Sequence, residues 1–392
     1  MNRSRVAPNG AAPPGAEPRA VTSAFVASTP GSPPRGVCAV GWLGGAVRRQ
    51  VPPEANFERT LKIHMQVLVG VISPAAAWVL PAHFVDALRR DFPQHTFLDA
   101  WDRDALRRLL PEADVAFTPI VDRDIFPSLT RLRWVQSPAV GVGSLMFPDL
   151  LASPVVVTSA RGIRARSIAE HVLGVTIALA RRLPAAIRAQ AAHRWAQNEL
   201  EGADANVRTL QGQRMGIVGL GAIGLELAKI AAPFGFGITA IRRRFDEPPP
   251  AGVDEVLPLD RLADLLAASD VVVLALPHTP ETKRLIGRAE IDQMKGGALL
   301  VNIARGKLID DEAVIEALRD GRLGGAALDV FAQEPLDPSS GYWDLPNVIV
   351  TPHTAGAMRD YWTPLVALFA DNLRRFERGQ PLRNLVDKVA GY

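Results

Sequence analysis

From residue 65 onward, short apolar runs alternate with stretches of helical spacing. MQVLVGVI begins at Met65 and is followed by the helix-like FVDALRRDF. DVAFT, LRWVQS and VVVTS are further runs of strand length, and SIAEHVLGVTIALARRL has a broad apolar face that predicts one long helix. A stricter series follows: RMGIVGL, GITAIR, VVVLAL, ALLVNI, GAALDV and NVIVTP. Each is short, mainly apolar and separated from the next by a turn or a helix-length segment. Strands without a polar face are buried on both sides, so the pattern predicts an α/β protein of parallel sheets covered by helices. No internal repeat is evident.

Residues 1–64 break this pattern. NGAAPPGAEPRA and STPGSPPRG are rich in Pro, Gly, Ala and Ser and lack an apolar period, which predicts disorder. GVCAVGWLGGAV is too short to cross a membrane and lies too deep for an ordinary secretory signal. The arm fits a tail, an over-extended gene start or an organellar transit segment, in that order of preference. Met65 stands where a compact domain would begin.

Charge sharpens the division. The chain has 392 residues and a formal net charge of +3, yet residues 1–64 hold eight Lys or Arg against three Glu. The other 328 residues carry 36 basic and 38 acidic groups. The basic character thus belongs to the arm, and no nucleic-acid-binding face is expected on the body. Cys38 is the one cysteine, so no intrachain disulfide can form, and a reducing compartment such as the cytoplasm is expected. No run reaches the length of a membrane span, and no cluster of metal-ligand spacing is expected.

GLGAIG, residues 219–224, lies between the strand RMGIV and the helix-like AIGLELAKIAA. That setting is what a dinucleotide-binding loop requires. Gly219 permits the tight turn, Gly221 admits the pyrophosphate, and Gly224 lets helix and strand pack closely. The helix N-terminus faces the phosphate charge. An NAD site places an acid about 20 residues further on. Here ITAIRRRF offers Arg242, Arg243 and Arg244 instead. Guanidiniums suit a 2′-phosphate, so NADP is expected, with NAD possible; a solvated basic turn is the plainer alternative.

Three polar stretches follow apolar runs: VNIARG with Arg305, ALDVFAQEPL with Asp329 and Glu334, and TPHTAG with His353. In an open parallel sheet such positions gather at one edge. A guanidinium at the end of a buried strand calls for an anionic partner. A histidine is suited to proton exchange near neutral pH, and a carboxylate partner orients it.

With GLGAIG, LALPHTPETKRLIG, LLVNIARGKLIDDEA, GAALDVFAQEPL and TPHTAG in order, residues 65–392 resemble the D-isomer-specific 2-hydroxyacid dehydrogenase family. The resemblance implies two Rossmann-like domains. The substrate domain would be discontinuous, 65–165 plus 357–392, with the cofactor domain at 166–356. It implies that Arg305, Glu334 and His353 form the catalytic set. Arg305 would bind the carboxylate and keto oxygen of a 2-oxo acid. It places Ala222, Ile223, Pro277, Thr279, Ala304 and Gly356 at the cofactor, and Asp329 at the nicotinamide carboxamide. SPAVGVGS resembles the substrate loop, with Val140, Gly141 and Val142 offering amides. Gly143 stands where the family often has a polar residue, which bears on loop shape and substrate preference. Trp362 is a core aromatic or, less simply, a pocket wall. A homodimer through the helices around 167–199 is implied.

The expected activity is reduction of a small 2-oxo acid, such as glyoxylate or hydroxypyruvate, to the D-2-hydroxy acid by NADPH. The alternatives are a dehydrogenase for another small acid or a cofactor-sensing binding protein. A phosphoglycerate enzyme with a regulatory domain is not expected, since no such domain follows in the sequence.

Overall fold

The structure is a computed structural model and describes residues 64–72, 79–202, 206–243 and 245–389. Apart from His64, the arm falls outside the described residues, as does Arg244. Twelve strands form two sheets among the described residues. The first holds β1 (Gln66–Val69), β2 (Thr96–Asp99), β3 (Val115–Phe117), β4 (Trp134–Gln136) and β5 (Val156–Thr158). Their order is β2-β1-β3-β4-β5, all parallel. The second holds β6 (Arg214–Val218), β7 (Gly237–Ile241), β8 (Glu255–Leu257), β9 (Val271–Leu274), β10 (Ala298–Asn302), β11 (Leu323–Leu328) and β12 (Val348–Val350). Their order, β12-β11-β10-β9-β6-β7-β8, is again wholly parallel.

Among the described residues eleven α-helices accompany them: α1 (Ala82–Asp91), α2 (Arg103–Leu109), α3 (Pro148–Ala152), α4 (Ala165–Ala180), α5 (Leu183–Ala191), α6 (Gln197–Glu201), α7 (Ala222–Ala231), α8 (Leu262–Ala268), α9 (Arg288–Gln293), α10 (Asp311–Arg319) and α11 (Trp362–Glu377). The long helix expected through 183 stops at Ala180. Pro184 has no amide for the Ala180 carbonyl and its ring would crowd it. Arg182 therefore turns left-handed at φ 57°, and α5 starts with the proline in its first turn.

The β9 strand shows why these runs are apolar on both faces. Val272 and Leu274 join a core with Leu265 and Val314, while Val271 and Val273 join one with Leu173 and Leu227. The first set lies under α8, α9 and α10, the second under α4 and α7. The fold is thus doubly wound, and the switch point lies between β6 and β9.

The first sheet draws on both ends of the described chain. Phe117 and Trp134 stack on Phe369 of α11, at centroid distances of 4.6 and 5.3 Å. Beneath them Gln136 Oε1 accepts from Thr158 Oγ1 at 2.8 Å and from Asn372 Nδ2 at 3.2 Å. Asn372 also accepts from the Arg383 amide at 2.7 Å, and Leu385 forms an antiparallel bridge with Thr158. Buried polar groups need partners, and this network supplies them while tying the C-terminal segment to β4 and β5. The first sheet itself runs within residues 66–158, and the C-terminal segment packs onto it from far along the chain.

Candidate active site

The loop after β6 is shaped by its glycines. Gly219 has φ +109°, and a Cβ there would stand 2.5 Å from the Ala275 carbonyl oxygen. A Cβ on Gly224 would stand 2.4 Å from the Gly219 carbonyl oxygen. Both positions are closed to any side chain. Gly221 differs: nothing lies within 4 Å of the same point. That open space adjoins the start of α7, where the amides of Ala222, Ile223 and Gly224 have no earlier carbonyl within the helix to bond. The cradle fits a dinucleotide pyrophosphate.

The end of β7 lies against this loop, since Ile241 O accepts from the amides of Gly219 and Leu220, each at 3.0 Å. Arg242 follows directly. Its side chain is largely buried, and Nη2 lies 3.1 Å from Glu247 Oε2. Arg243 is exposed. Beyond β9, Pro277 is exposed and Thr279 half-buried. Thr282 closes this turn: its hydroxyl accepts from the Thr279 amide at 2.7 Å and donates to Pro277 O at 2.9 Å. Neither Thr282 nor Glu247 carries a motif of its own that would have marked it.

The loops after β10, β11 and β12 meet at the same edge. His353 Nδ1 lies 2.8 Å from Glu334 Oε2. The other oxygen of Glu334 accepts from the Phe331 amide at 2.9 Å, so the carboxylate is fixed at both ends. His353 has φ +56°, an uncommon conformation for a side-chain-bearing residue. Asp329 holds it there. Its Oδ1 accepts from Thr351 Oγ1 at 2.6 Å, the Thr354 amide at 2.8 Å and the Ala355 amide at 3.0 Å. Asp329 Oδ2 also accepts from Ala355, at 3.0 Å. The buried carboxylate therefore braces the loop on both sides of the histidine.

Arg305 stands in solvent contact, so the burial cost anticipated for its guanidinium does not arise. The strand's apolar burial stops at Ala304, and the chain emerges one residue later. Buried Asn302 frames the exit: its Nδ2 donates to Arg305 O at 3.0 Å and its Oδ1 accepts from the Ala304 amide at 3.1 Å. Arg305 Nη1 donates to Ala304 O at 2.6 Å. Its Nη2 lies against Gly141, 3.0 Å from where a Cβ would sit. The loop after β4 thereby joins the site. Val140 and Gly141 are exposed and Val142 is buried. Tyr361 donates its hydroxyl to Pro138 O in the same loop. Arg164 lies over the Tyr361 ring at 4.3 Å and against Gly356. Trp362 packs on the first sheet's core beside Tyr361.

Burial alone would raise the Glu334 carboxyl. The hydrogen bonds from His353 and Phe331, with the nearby charges of His353 and Arg305, outweigh it and hold the group below the usual carboxylate range. A depressed carboxyl contributes stability that is present above its unfolded pKa, about 4.3, and is lost as pH falls through the folded value. Glu334→Gln is therefore expected to destabilise the protein slightly at pH 7 and progressively less below pH about 4. Urea melts of both proteins across that range test this. A gap that stays constant into acid would show that the charge of Glu334 contributes nothing.

A family model described as the NAD binding domain of D-isomer specific 2-hydroxyacid dehydrogenases matches residues 173–355. The chain is 35% identical over 294 residues to a glyoxylate reductase of Korarchaeum cryptofilum, covering 73% of this chain and 83% of that one. It belongs to the D-isomer specific 2-hydroxyacid dehydrogenase family. A D-3-phosphoglycerate dehydrogenase of Archaeoglobus fulgidus is 30% identical over 311 residues; these cover 77% of this chain but only 57% of that longer one. Among solved structures, a member of the family from Xanthobacter autotrophicus Py2, in complex with NADPH and MES, superposes with a TM-score of 0.71. It is 31% identical and covers 84% of this chain and 100% of its own. The chain is thus a 2-hydroxyacid dehydrogenase with a nicotinamide-dinucleotide domain. No helix among the described residues is long and apolar enough to cross a membrane.

Proposed function

We propose that this dehydrogenase reduces a small 2-oxo acid, of the glyoxylate or hydroxypyruvate kind, to the D-2-hydroxy acid with NADPH. The observation that carries the reading is the convergence of Arg305 on Gly141 and of His353 on Glu334 at the sheet edge that bears the glycine loop. The cofactor part is 166–356, and the substrate part is 65–165 with 357–392.

The bound nicotinamide supplies the hydride. Arg305 binds the substrate carboxylate and polarises the keto oxygen, with the amides of Val140 and Gly141 completing the anion site. His353 gives its Nε2 proton to the oxygen as negative charge develops there, and takes it back in the reverse direction. Glu334 holds Nδ1 so that Nε2 faces the substrate. Asp329 keeps the His353 backbone in place, and its Oδ2 retains capacity for the nicotinamide carboxamide. Arg242 and Arg243 receive the 2′-phosphate; the family member from Xanthobacter autotrophicus Py2 in complex with NADPH supports this choice. Pro277, Thr279, Ala304 and Gly356 line the cofactor groove.

The active form is a homodimer. On and just beyond α5, Ile187 and Trp195 are 62% and 90% exposed, and an interface through this region would cover them. Steady-state oxidation of NADPH and NADH, with glyoxylate, hydroxypyruvate and phenylpyruvate in parallel, tests the reading. Turnover favouring NADPH is expected, from a sample that light scattering shows to be dimeric. Equal use of both cofactors would remove the preference for NADPH, and a monomeric active sample would remove the dimer. Tight cofactor binding without turnover on any acid would shift the weight to a sensing protein.

A further inference from the structure

Arg242 does not wait unpaired for a phosphate. Its side chain is only 18% exposed, and Nη2 is 3.1 Å from Glu247 Oε2. The partner lies five residues on, in the loop between β7 and β8. Asp246, the neighbouring acid, makes no ion pair or hydrogen bond among the described residues. One carboxylate of the loop is thus engaged with the arginine nearest the glycine loop, and the other faces solvent.

A 2′-phosphate is an anion and needs the guanidinium that Glu247 already holds. Glu247 competes for Nη2 and repels the incoming charge. A ribose without the phosphate has the opposite need: its hydroxyls want an acceptor. None stands at the end of β7, where Arg242 and Arg243 occupy the positions an acid would take. Glu247 is the carboxylate held beside that point.

We infer that Glu247 sets the cofactor preference, weakening NADPH by competing for Arg242 and supporting NADH by accepting from its ribose hydroxyls. The inference rests on the reading of Arg242 as a 2′-phosphate ligand. It makes the site less selective than its arginines alone imply.

Calorimetric binding of NADPH, NADH, 2′,5′-ADP and 5′-AMP to the full chain tests it, in wild type, Glu247→Gln, Asp246→Asn and Arg242→Gln. Glu247→Gln is expected to tighten NADPH and 2′,5′-ADP about three- to tenfold and to weaken NADH and 5′-AMP. Asp246→Asn removes the same charge without the contact, and should move every ligand less than about twofold. Equal effects of the two variants would reduce Glu247 to a general charge effect and overturn the inference. So would an unchanged NADPH-to-NADH ratio in Glu247→Gln. If Arg242→Gln still weakens NADPH in that case, the arginine reading stands without Glu247. If Arg242→Gln binds NADPH as wild type does, the arginine reading falls first and the inference with it.

Discussion

His353→Asn is expected to lower kcat about 10²- to 10⁴-fold while cofactor affinity stays at the wild-type level. The substitution suits the backbone. His353 sits at φ +56°, and asparagine is among the residues that accept this conformation most readily. The loop is also braced without the imidazole. Asp329 bonds the hydroxyl of Thr351 and the amides of Thr354 and Ala355, none of which belongs to the histidine side chain. The variant therefore removes a proton donor and little else. Glu334 remains fixed through the Phe331 amide. Pre-steady-state reduction of the preferred 2-oxo acid, beside calorimetric binding of NADPH, separates chemistry from binding. A kcat within tenfold of wild type would mean that the proton comes from another group. Lost NADPH binding would mean that His353 supports the cofactor side of the cleft.

The sequence made some parts of this site plain and hid others. Strands buried on both faces were legible, because VVVL and ALLVN admit no polar face. The edge strands β2 and β8 were not. TFLD and EVL are short and only partly buried, so their patterns do not differ from a loop. The glycine loop was legible because a strand and a helix flank it. The ordered motifs also pointed to Arg305, Glu334 and His353. What they could not show is how those residues are held. The left-handed turn at His353 follows from where β12 ends and from a carboxylate 24 positions earlier in the chain. Asn302 reads as one more polar residue after a strand until its amide is seen to bridge Ala304 and Arg305. Glu247 pairs with Arg242 five residues away, a contact that no periodic pattern announces. Local composition carries the elements, while the bracing contacts depend on the paths of loops that have no periodic pattern.

Gly306→Ala is expected to lower kcat/KM about 100-fold and to destabilise the fold by more than about 1–3 kcal/mol. A Cβ at Gly306 would stand 1.9 Å from Phe331 C, 2.2 Å from Ala332 N and 2.3 Å from Phe331 O. These are backbone atoms, so no rotamer change can relieve the overlap. The two loops must part. Gly306 is bonded to Arg305, while the Phe331 amide holds the Glu334 carboxylate. One added methyl group therefore pushes in two directions: Arg305 recoils from Gly141, and Glu334 is drawn off His353. Cofactor binding should suffer less, because the glycine loop is carried by β6 and α7. Gly296→Ala is the matched control. It is exposed and away from the site, and nothing is within 4 Å of its would-be Cβ. Thermal melts and kcat/KM for both variants decide the matter. If Gly306→Ala melts and turns over like Gly296→Ala, then the loops after β10 and β11 are not in the close contact that sets Arg305 and Glu334 together. A lowered melting temperature with kcat/KM unchanged would mean that the contact stabilises the fold without setting the catalytic geometry.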